Sequence, residues 1–344
     1  MEYTKLGNSN LNVSKLCLGC MGFGDSQNGT HSWALPYEES KEIIKYALDQ
    51  GINFFDTAMV YQNGTSEEIT GRILKELRKR EEYIIATKIA PKGSYPEKEG
   101  ISVHDYVEEC LNNSLKRMQV DYIDLYILHW WDYRNPISEY LESFHHFIQQ
   151  GKIKYIGISN CYAWQLAKAN ALAKEKGWEQ FVSIQSHYNL VMREDERELI
   201  PYCKEDNIAL TPYSPLAAGR LSRHPGETTK RSQTDEVAKK KYDEVAEQDR
   251  GIIERIEELS KKKGVSMAEI SLAWFHHKNA IPVFAATKKS HIESAVRSVK
   301  IILTPEEIQY LEELYTPHKL SGNMAWNKSA DSMFTMKSLD SNKK

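Results

Sequence analysis

The 344-residue sequence lacks the features that define several classes of protein. It has no run of about 18 apolar residues, so a membrane-spanning helix is not expected. Its 45 basic and 48 acidic residues give no field of one sign, which argues against nucleic acid or a charged membrane surface as a partner. The polar start, MEYTKLGNSN, has no signal-peptide core. Five scattered cysteines, an odd number, indicate reduced thiols, and these features together predict a cytoplasmic protein.

The motifs that could hold a metal are incomplete. Cys17 and Cys20 form a C-x-x-C pair, but no second ligand pair accompanies it, so two small apolar residues at a strand end are the favoured interpretation. The adjacent histidines at 145–146 and 276–277 fall in helical patterns, where sequence neighbours point in different directions. No metal site is predicted.

Short apolar runs alternate with longer amphipathic stretches along the chain. Several runs are almost continuously apolar, which is typical of strands that are buried on both faces of a sheet. Eight such runs occur, at 16–19, 52–57, 83–88, 123–129, 155–160, 182–189, 208–214 and 281–286. Eight strand–helix repeats favour an α/β fold of the closed (β/α)8, or TIM-barrel, type over an open doubly wound sheet.

The repeat is interrupted once. Residues 221–250 are polar and heavily charged, and they predict a surface-loop insertion that leads into helices before the last unit. The whole chain, 1–344, is interpreted as a single barrel domain with a core of about 3–317. The remaining 318–344 form a polar tail with a few large apolar residues, which is either free or folded over the barrel mouth. The oligomeric state stays open.

Three ionisable residues fall at the carboxyl ends of consecutive apolar runs: Asp56, Lys88 and His129. Parallel barrels build their active sites at this edge. An unpaired charge buried at a strand end costs several kcal/mol. We therefore expect the three side chains to meet and to pair with one another.

Tyr61 follows Asp56 in the loop after the second run, from which it can reach the barrel mouth. A phenol has an ordinary pKa of about 10 and is a poor acid at neutral pH unless a neighbouring ammonium, such as that of Lys88, lowers its pKa. Asp56 would hold that ammonium, and His129 would donate a hydrogen bond to the same carbonyl oxygen. The group therefore fits proton donation to a carbonyl that receives a hydride.

Six motifs, each after its own strand, resemble those of the aldo-keto reductases. They are 56–61 (DTAMVY), 86–88 (ATK), 124–129 (DLYILH), 157–160 (GISN), 185–189 (QSHYN) and 213–217 (YSPLA). The resemblance covers about residues 3–317 and implies a (β/α)8 barrel that reduces aldehydes or ketones with a nicotinamide cofactor. It implies that Tyr61 is the general acid and that His129 orients the carbonyl. Lys88 and Asp56 would tune the acid.

The resemblance also implies where the cofactor binds. Residues that would contact the nicotinamide or the pyrophosphate are Thr57, Ser159, Asn160, Gln185, Tyr213, Ser214, Leu216 and Gly219. Residues at the adenosine 2′-phosphate would be Ala286, Thr287, Lys288 and His291. The family often has Arg where His291 stands, and arginine is the better phosphate clamp. Because Lys288 and Lys289 can still pair with a phosphate, NADP (NADPH) is favoured, with mixed use of NAD left open.

Candidate substrate contacts lie in loops above the barrel. They are Trp33, Val60, Trp130 and Trp131, with Trp326 of the tail as a further candidate. An aromatic rim is typical of a site for an apolar or sugar-ring substrate, although each tryptophan could equally pack a loop against the barrel. One departure from the family is Gln62-Asn63, where relatives usually have glycine after the tyrosine. It predicts a differently shaped loop around the acid.

Three other interpretations of the sequence are possible. Residues 19–24 are rich in glycine and precede a Tyr-x3-Lys spacing at 37–41, as in a short-chain dehydrogenase, but no G-x-G-x-x-G opens a helix. An NADPH-binding regulatory or redox-sensing subunit with slow turnover would keep the same fold and cofactor site. A barrel isomerase or aldolase would leave Ser159, Asn160 and Gln185 without a role. A small carbonyl compound remains the expected partner.

Overall fold

The structure is a computed structural model that describes residues 1–27, 29, 31–94, 100–224, 226–227, 229, 235–320 and 323–324. A hairpin of β1 (Tyr3–Lys5) and β2 (Asn12–Ser14) comes first. The strands of the main sheet follow: β3 (Cys17–Gly19), β4 (Phe54–Asp56), β5 (Ile84–Ile89), β6 (Ile123–Leu128), β7 (Ile153–Ser159), β8 (Phe181–Gln185), β9 (Ala209–Leu210) and β10 (Val283–Phe284). Each of the eight apolar runs overlaps one of these main-sheet strands, as predicted, although β5, β7 and β8 extend one or two residues beyond their runs.

The main sheet is parallel and closes on itself. Its strand order is β10-β3-β4-β5-β6-β7-β8-β9, so the last strand lies beside the first. The Ile281 amide donates to the Leu210 carbonyl at 2.9 Å, and the Val283 amide donates to the Pro212 carbonyl at 2.9 Å. These bonds join the segment around β10 to the segment around β9. The predicted (β/α)8 barrel is confirmed.

Helices follow the strands. They are α1 (Tyr37–Asp49), α2 (Thr65–Leu77), α3 (Val103–Met118), α4 (Ile137–Gln149), α5 (Ala163–Lys176), α6 (Leu199–Glu205), α7 (Glu236–Tyr242), α8 (Ala246–Lys263), α9 (Met267–His277), α10 (Lys289–Ser298) and α11 (Pro305–Glu312). A continuous core joins α1 to α6 and α10 to the barrel and includes Ile44 of α1, Tyr126 of β6 and Phe144 of α4. A second cluster packs α8, α9 and α11 together through Ile256, Ile270 and Ile308. The apolar faces of the helices in the first cluster are thereby buried against strands that have no polar face to offer solvent.

The amino-terminal hairpin forms the floor of the barrel. Leu6, Leu11 and Val13 are buried in one cluster with apolar residues of the barrel strands. Gly7 has φ +53°, and a Cβ there would come within 2.4 Å of the Val182 carbonyl oxygen, so this turn requires glycine. The barrel is therefore packed shut at the amino ends of its strands.

The charged insertion before the last unit contains more than a surface loop. Within it, α7 buries Ala238 and Tyr242, which are 6% and 2% exposed. Of the predicted tail, residues 318–320 and 323–324 are described, so its placement over the barrel mouth, with Trp326, lies outside the described residues. Across the described ranges, no helix combines the length and the apolar character that crossing a membrane requires.

Candidate active site

The carboxyl ends of β4, β5 and β6 bring four ionisable side chains together. Asp56 is the last residue of β4, Lys88 lies near the end of β5, and His129 directly follows β6. Tyr61 begins the 3-10 turn Tyr61–Gly64, which leads from β4 into α2. Lys88 Nζ donates to Asp56 Oδ1 and, at 3.2 Å, to the Tyr61 hydroxyl. The structure thus places the carboxylate, the ammonium and the phenol in one chain of contacts.

The Lys88–Asp56 pair is fully enclosed, because Lys88 is 0% exposed and Asp56 is 2% exposed. Burial works against the ammonium, but the Asp56 carboxylate and the Tyr61 hydroxyl together outweigh it, and the pKa of Lys88 lies above its ordinary value. Lys88 Nζ also donates to the Thr57 carbonyl at 2.8 Å, and Gln185 Nε2 donates to Asp56 Oδ2 at 2.9 Å. With both carboxylate oxygens satisfied, Lys88 stays charged at neutral pH.

The pKa of Tyr61 differs from the expectation. Burial raises the pKa of the phenol, and the Lys88 ammonium, which acts in the opposite direction, does not offset it. The pKa of Tyr61 therefore lies above its ordinary value, and the predicted lowering was wrong. The physical reason is that the packing that brings the ammonium close also removes water from the phenol. Tyr61 remains protonated at neutral pH, which is the form that a proton donor needs.

His129 lies beside Tyr61, with ring centroids 5.8 Å apart and an edge-on angle of 82°. Burial lowers the pKa of the imidazole well below its ordinary value, and the Lys88 ammonium acts in the same direction. His129 is therefore neutral at neutral pH and has one N–H to donate. Its Nδ1 is buried without a hydrogen-bond partner among the described residues. A proton on Nε2 leaves no buried N–H unsatisfied, so we assign this tautomer.

Polar side chains at the ends of β7 and β8 continue the site. Asn160 Nδ2 donates to the His129 carbonyl at 3.0 Å and to Ser159 Oγ at 2.8 Å. Ser159 Oγ donates to the Gln185 carbonyl at 2.7 Å. All three of these polar residues are at most 3% exposed. Gln185 also contacts Asp56. The three residues predicted to contact the nicotinamide therefore form one network with the ionisable quartet, which is Asp56, Tyr61, Lys88 and His129.

Thr57 is placed differently from these residues. Its Oγ1 lies 2.8 Å from Ser66 Oγ of α2, and Ser66 donates to the Cys20 carbonyl at 2.8 Å. The side chain therefore joins the barrel to the helix layer, while its carbonyl accepts from Lys88. A cofactor contact by Thr57 stays a prediction.

Tyr213, predicted to stack on the nicotinamide, already has a stacked neighbour. The His187 ring lies parallel to it, with centroids 5.4 Å apart and an interplanar angle of 11°. The hydroxyl of Tyr213 donates to Asn160 Oδ1 at 2.9 Å. His187 is in turn held by Tyr242 of α7, whose hydroxyl lies 2.7 Å from His187 Nε2. Helix α7 is thereby docked at the barrel mouth.

Lys241 of α7 is a site residue that the sequence analysis missed. Its Nζ lies 4.8 Å from the centroid of the Tyr213 ring. Burial lowers the pKa of this ammonium to about 8, although the Asp235 carboxylate acts in the opposite direction. In the sequence Lys241 is the last of three consecutive lysines, a pattern that is typical of a solvent-exposed segment. The following Tyr242, a single aromatic in a charged run, was the only signal of docking.

The segment after Tyr213 makes a tight turn. Ser214 has φ +54°, and its carbonyl accepts from Asn189 Nδ2 at 3.0 Å. After Leu216, the 3-10 helix Ala217–Ser222 includes Gly219, which has φ +93°. Turns that mix left- and right-handed residues form concavities of main-chain amides in which anions bind. The predicted pyrophosphate path therefore has a suitable backbone.

The last barrel unit places the residues predicted for the 2′-phosphate around the start of α10. Thr287 and Lys288 immediately precede this helix, after the buried Ala286. The Thr287 amide donates to His291 Nδ1 at 3.3 Å, which fixes that ring beside them. Lys289, in contrast, pairs with Glu42 of α1 at 2.8 Å and is directed away from the predicted site.

The predicted aromatic rim is only partly open. The Trp130 ring lies 5.0 Å from the His129 ring, and Val60 directly precedes Tyr61. Trp131 is 8% exposed and lies 6.3 Å from the ring of Trp164 of α5, so it packs a loop against the barrel. Trp164 itself is 57% exposed and was not predicted. The fourth candidate, Trp33, lies in the loop between β3 and α1.

A closed parallel barrel with acid–base groups at its carboxyl mouth defines a class of barrel proteins that bind and transform ligands at that end. Within this class, the model of the Aldo/keto reductase family matches residues 15–316. The chain belongs to the aldo/keto reductase family and is an oxidoreductase.

Individual relatives agree with this assignment. Versiconal hemiacetal acetate reductase from Aspergillus parasiticus is 38% identical over 338 residues, which is 92% of this chain and 98% of that protein. An aldo-keto reductase from Fusarium vanettenii is 33% identical and covers 94% and 93% of the two chains. The crystal structure of the thermostable aldo-keto reductase Tm1743 with the inhibitor epalrestat has a TM-score of 0.73 at 28% identity, and the match covers 91% of this chain and 100% of that one.

Proposed function

We propose that this protein reduces aldehydes or ketones to alcohols with NADPH and that Tyr61 is the general acid. The observation that carries the proposal is the 3.2 Å contact between the Tyr61 hydroxyl and the buried Lys88 ammonium at the barrel mouth. The test is the loss of NADPH absorbance when the purified protein meets a panel of aldehydes. Tight NADPH binding with negligible turnover on every aldehyde would favour a regulatory subunit instead.

The quartet divides the work on a carbonyl oxygen. The Tyr61 hydroxyl and the neutral imidazole of His129 donate hydrogen bonds to this oxygen, which orients the carbonyl and stabilises negative charge as it develops. When bound, the nicotinamide supplies a hydride to the carbonyl carbon. Tyr61 gives its proton to the oxygen, and the phenolate that remains is stabilised by Lys88, which Asp56 holds in place. A proton from solvent then restores the phenol.

The residues present fit a nicotinamide dinucleotide phosphate. Partial desolvation of an ammonium such as that of Lys241 is costly, and an anion beside it offsets the cost. Ser159, Asn160 and Gln185 offer amide and hydroxyl groups at the strand ends next to Tyr213, where the nicotinamide carboxamide would bind. The backbone turn through Ser214, Leu216 and Gly219 would hold the pyrophosphate.

Replacement of Lys288 by Met should lower kcat/KM for NADPH by roughly tenfold to a hundredfold and leave kcat/KM for NADH nearly unchanged. Lys288 stands at the amino end of α10, where the helix dipole also favours an anion, and a charge-assisted hydrogen bond contributes about 1.5–3 kcal/mol. Steady-state kinetics with both cofactors measures the effect. Lys289→Met, which breaks the pair with Glu42, is the matched control. An equal loss with NADH would refute a 2′-phosphate contact.

The affinity for NADPH should fall as the pH rises above about 8. The Lys241 ammonium attracts an anion only while it is protonated, and its pKa in the free protein is about 8. A bound anion raises this pKa, so the affinity is level below about pH 8 and declines above it. Fluorescence titration at neutral pH and at about pH 9.5 tests this expectation. In Lys241→Met the decline should vanish, and an unchanged decline in that variant would assign it to another group.

We also propose a cytoplasmic location. All five cysteines are free and buried, and burial raises the pKa of Cys20 to about 12. Such thiols neither require nor favour an oxidising compartment. Comparison of cell fractions by immunoblotting would test the location.

A further inference from the structure

Gln62, the residue after the proposed acid, has a main-chain conformation that a side chain usually avoids. Its φ is +48°, and Asn63 follows with φ +51°. A residue other than glycine pays a steric penalty in this region, so it persists there only when its surroundings hold it. Gln62 is also 0% exposed, although it lies in a turn at the barrel mouth. Its side chain is therefore the feature to explain.

The amide of Gln62 binds the loop between β3 and α1 at two separated points. Its Nε2 donates to the Asp25 carbonyl at 2.8 Å and to the His31 carbonyl at 3.0 Å, and its Oε1 accepts from the His31 amide at 2.9 Å. All of these groups are main-chain atoms, so the contacts depend on the path of the loop rather than on its side chains. One primary amide thus ties both arms of the loop to the turn that carries Tyr61.

The surrounding residues reinforce this contact. Thr65 Oγ1 donates to the Gln62 carbonyl at 2.8 Å and accepts from the Asp25 amide at 3.0 Å. A Cβ on Gly29 would come within 2.5 Å of the Gln62 amide group, and one on Gly24 would come within 2.7 Å of Gln62 Cβ. The loop therefore approaches so closely that a side chain at either place would displace Gln62.

The same loop carries Trp33. The Leu35 amide donates to the Gly22 carbonyl at 2.8 Å, which brings the two ends of the loop together. The Trp33 ring packs against Gly22, where a Cβ would come within 3.0 Å of it, and lies 4.8 Å from the His31 ring. Since Gln62 binds His31 through both main-chain groups, the path of the chain into Trp33 is set by Gln62.

We propose that Gln62 is a positioning residue that fixes the Trp33 loop relative to Tyr61 and thereby gives preference to bulky aryl carbonyl substrates over small aliphatic ones. The inference rests on the proposed function. Tyr61 keeps independent anchors, because Lys88 contacts its hydroxyl and the Ala58 carbonyl accepts from its amide at 3.1 Å. Loss of the Gln62 amide should therefore affect the loop and the binding of large substrates much more than proton transfer.

The test compares benzaldehyde with propanal in steady-state kinetics with NADPH. For Gln62→Ala, we expect kcat/KM for benzaldehyde to fall about a hundredfold, mainly through KM, while kcat for propanal falls less than about threefold. Gln62→Glu keeps the acceptor for the His31 amide but turns a carboxylate toward two carbonyl oxygens, so it should show at least as large a shift. An unchanged ratio between the two substrates in both variants would overturn the proposal.

Two further variants guard against a general loss of structure. Gly29→Ala perturbs the same contact from the loop side and should shift the ratio in the same direction. Gln180→Ala removes the hydrogen bond from the Gln180 side-chain amide to the Asn170 carbonyl. This bond lies at the amino end of β8, far from the mouth, so the variant should leave the ratio unchanged. Faster hydrogen exchange at residues 31–35 in Gln62→Ala, with an unchanged melting temperature, is the expected direct sign. If the unmodified protein reduces neither aldehyde, the proposed function fails, and this outcome is distinct from an unchanged ratio.

Discussion

Replacement of Tyr61 by Phe should lower kcat by about a hundredfold to ten-thousandfold and leave the affinity for NADPH unchanged. The substitution removes only the hydroxyl that contacts Lys88 Nζ at 3.2 Å, and a positioned general acid contributes a factor of this size. The measurement is kcat on a good aldehyde together with NADPH titration by fluorescence. Full activity in this variant would refute the assigned acid.

A matched control comes from the opposite end of the barrel. Tyr3 of β1 also uses its hydroxyl in one hydrogen bond, to the Gly51 carbonyl at 2.9 Å, but it lies at the floor. Tyr3→Phe should keep the activity of the unmodified protein. A loss in Tyr3→Phe comparable to that in Tyr61→Phe would show that the assay reports stability rather than proton transfer.

Replacement of Lys88 by Met should lower kcat by at least about a hundredfold and also destabilise the fold by about 3–5 kcal/mol. The loss of activity follows because nothing remains to stabilise the Tyr61 phenolate. The loss of stability follows because Asp56, 2% exposed, is left without its partner. Kinetics and denaturant unfolding measure the two effects separately.

The sign of the pH effect in Lys88→Met follows from the charges at the site. The ammonium acts to lower the pKa of Tyr61, so its removal raises that pKa further. Residual reduction, which needs the protonated phenol, should therefore persist to higher pH than in the unmodified protein. An alkaline limb that moves to lower pH would contradict the assigned pair.

The double variant Asp56→Asn, Lys88→Met separates stability from chemistry. Asparagine has nearly the shape of aspartate but no charge, so the buried anion disappears together with its partner. Much of the lost stability should return, because no charge is left unpaired in the barrel. The activity should stay low, because the ammonium is still absent. Recovery of both properties would mean that the pair supports the fold alone.

The framework of this site could be predicted from the sequence because a short-range rule and a topological rule coincide. Short apolar runs that alternate with amphipathic helices are typical of strands in a sheet covered on both faces, and eight of them favour a closed barrel. The carboxyl ends of parallel strands meet at one edge, so Asp56 and Lys88 had to be neighbours once their strands were recognised. The pattern of apolar runs was therefore sufficient to predict that these two side chains are neighbours.

The remaining features depend on packing between distant segments. The raised pKa of Tyr61 reflects how completely the surrounding residues exclude water, which no spacing encodes. Lys241 belongs to a charged run whose composition is typical of an exposed surface. The contact between Tyr242 and His187 nevertheless holds it at the barrel mouth. Gln62 acts through main-chain groups of a loop more than thirty residues away in sequence. Each of these features results from tertiary contacts that propensity does not determine.

The floor formed by Leu6, Leu11 and Val13 has a consequence for how ligands reach the site. Because these residues fill the amino end of the barrel, we expect reactants and products to enter and leave at the carboxyl-end mouth. Trp130 and α7 lie at that mouth, beside the proposed catalytic groups. Ligand exchange and the proposed reaction therefore take place at the same end of the barrel. A substitution in the rim should change both the rate of ligand exchange and the rate of reaction.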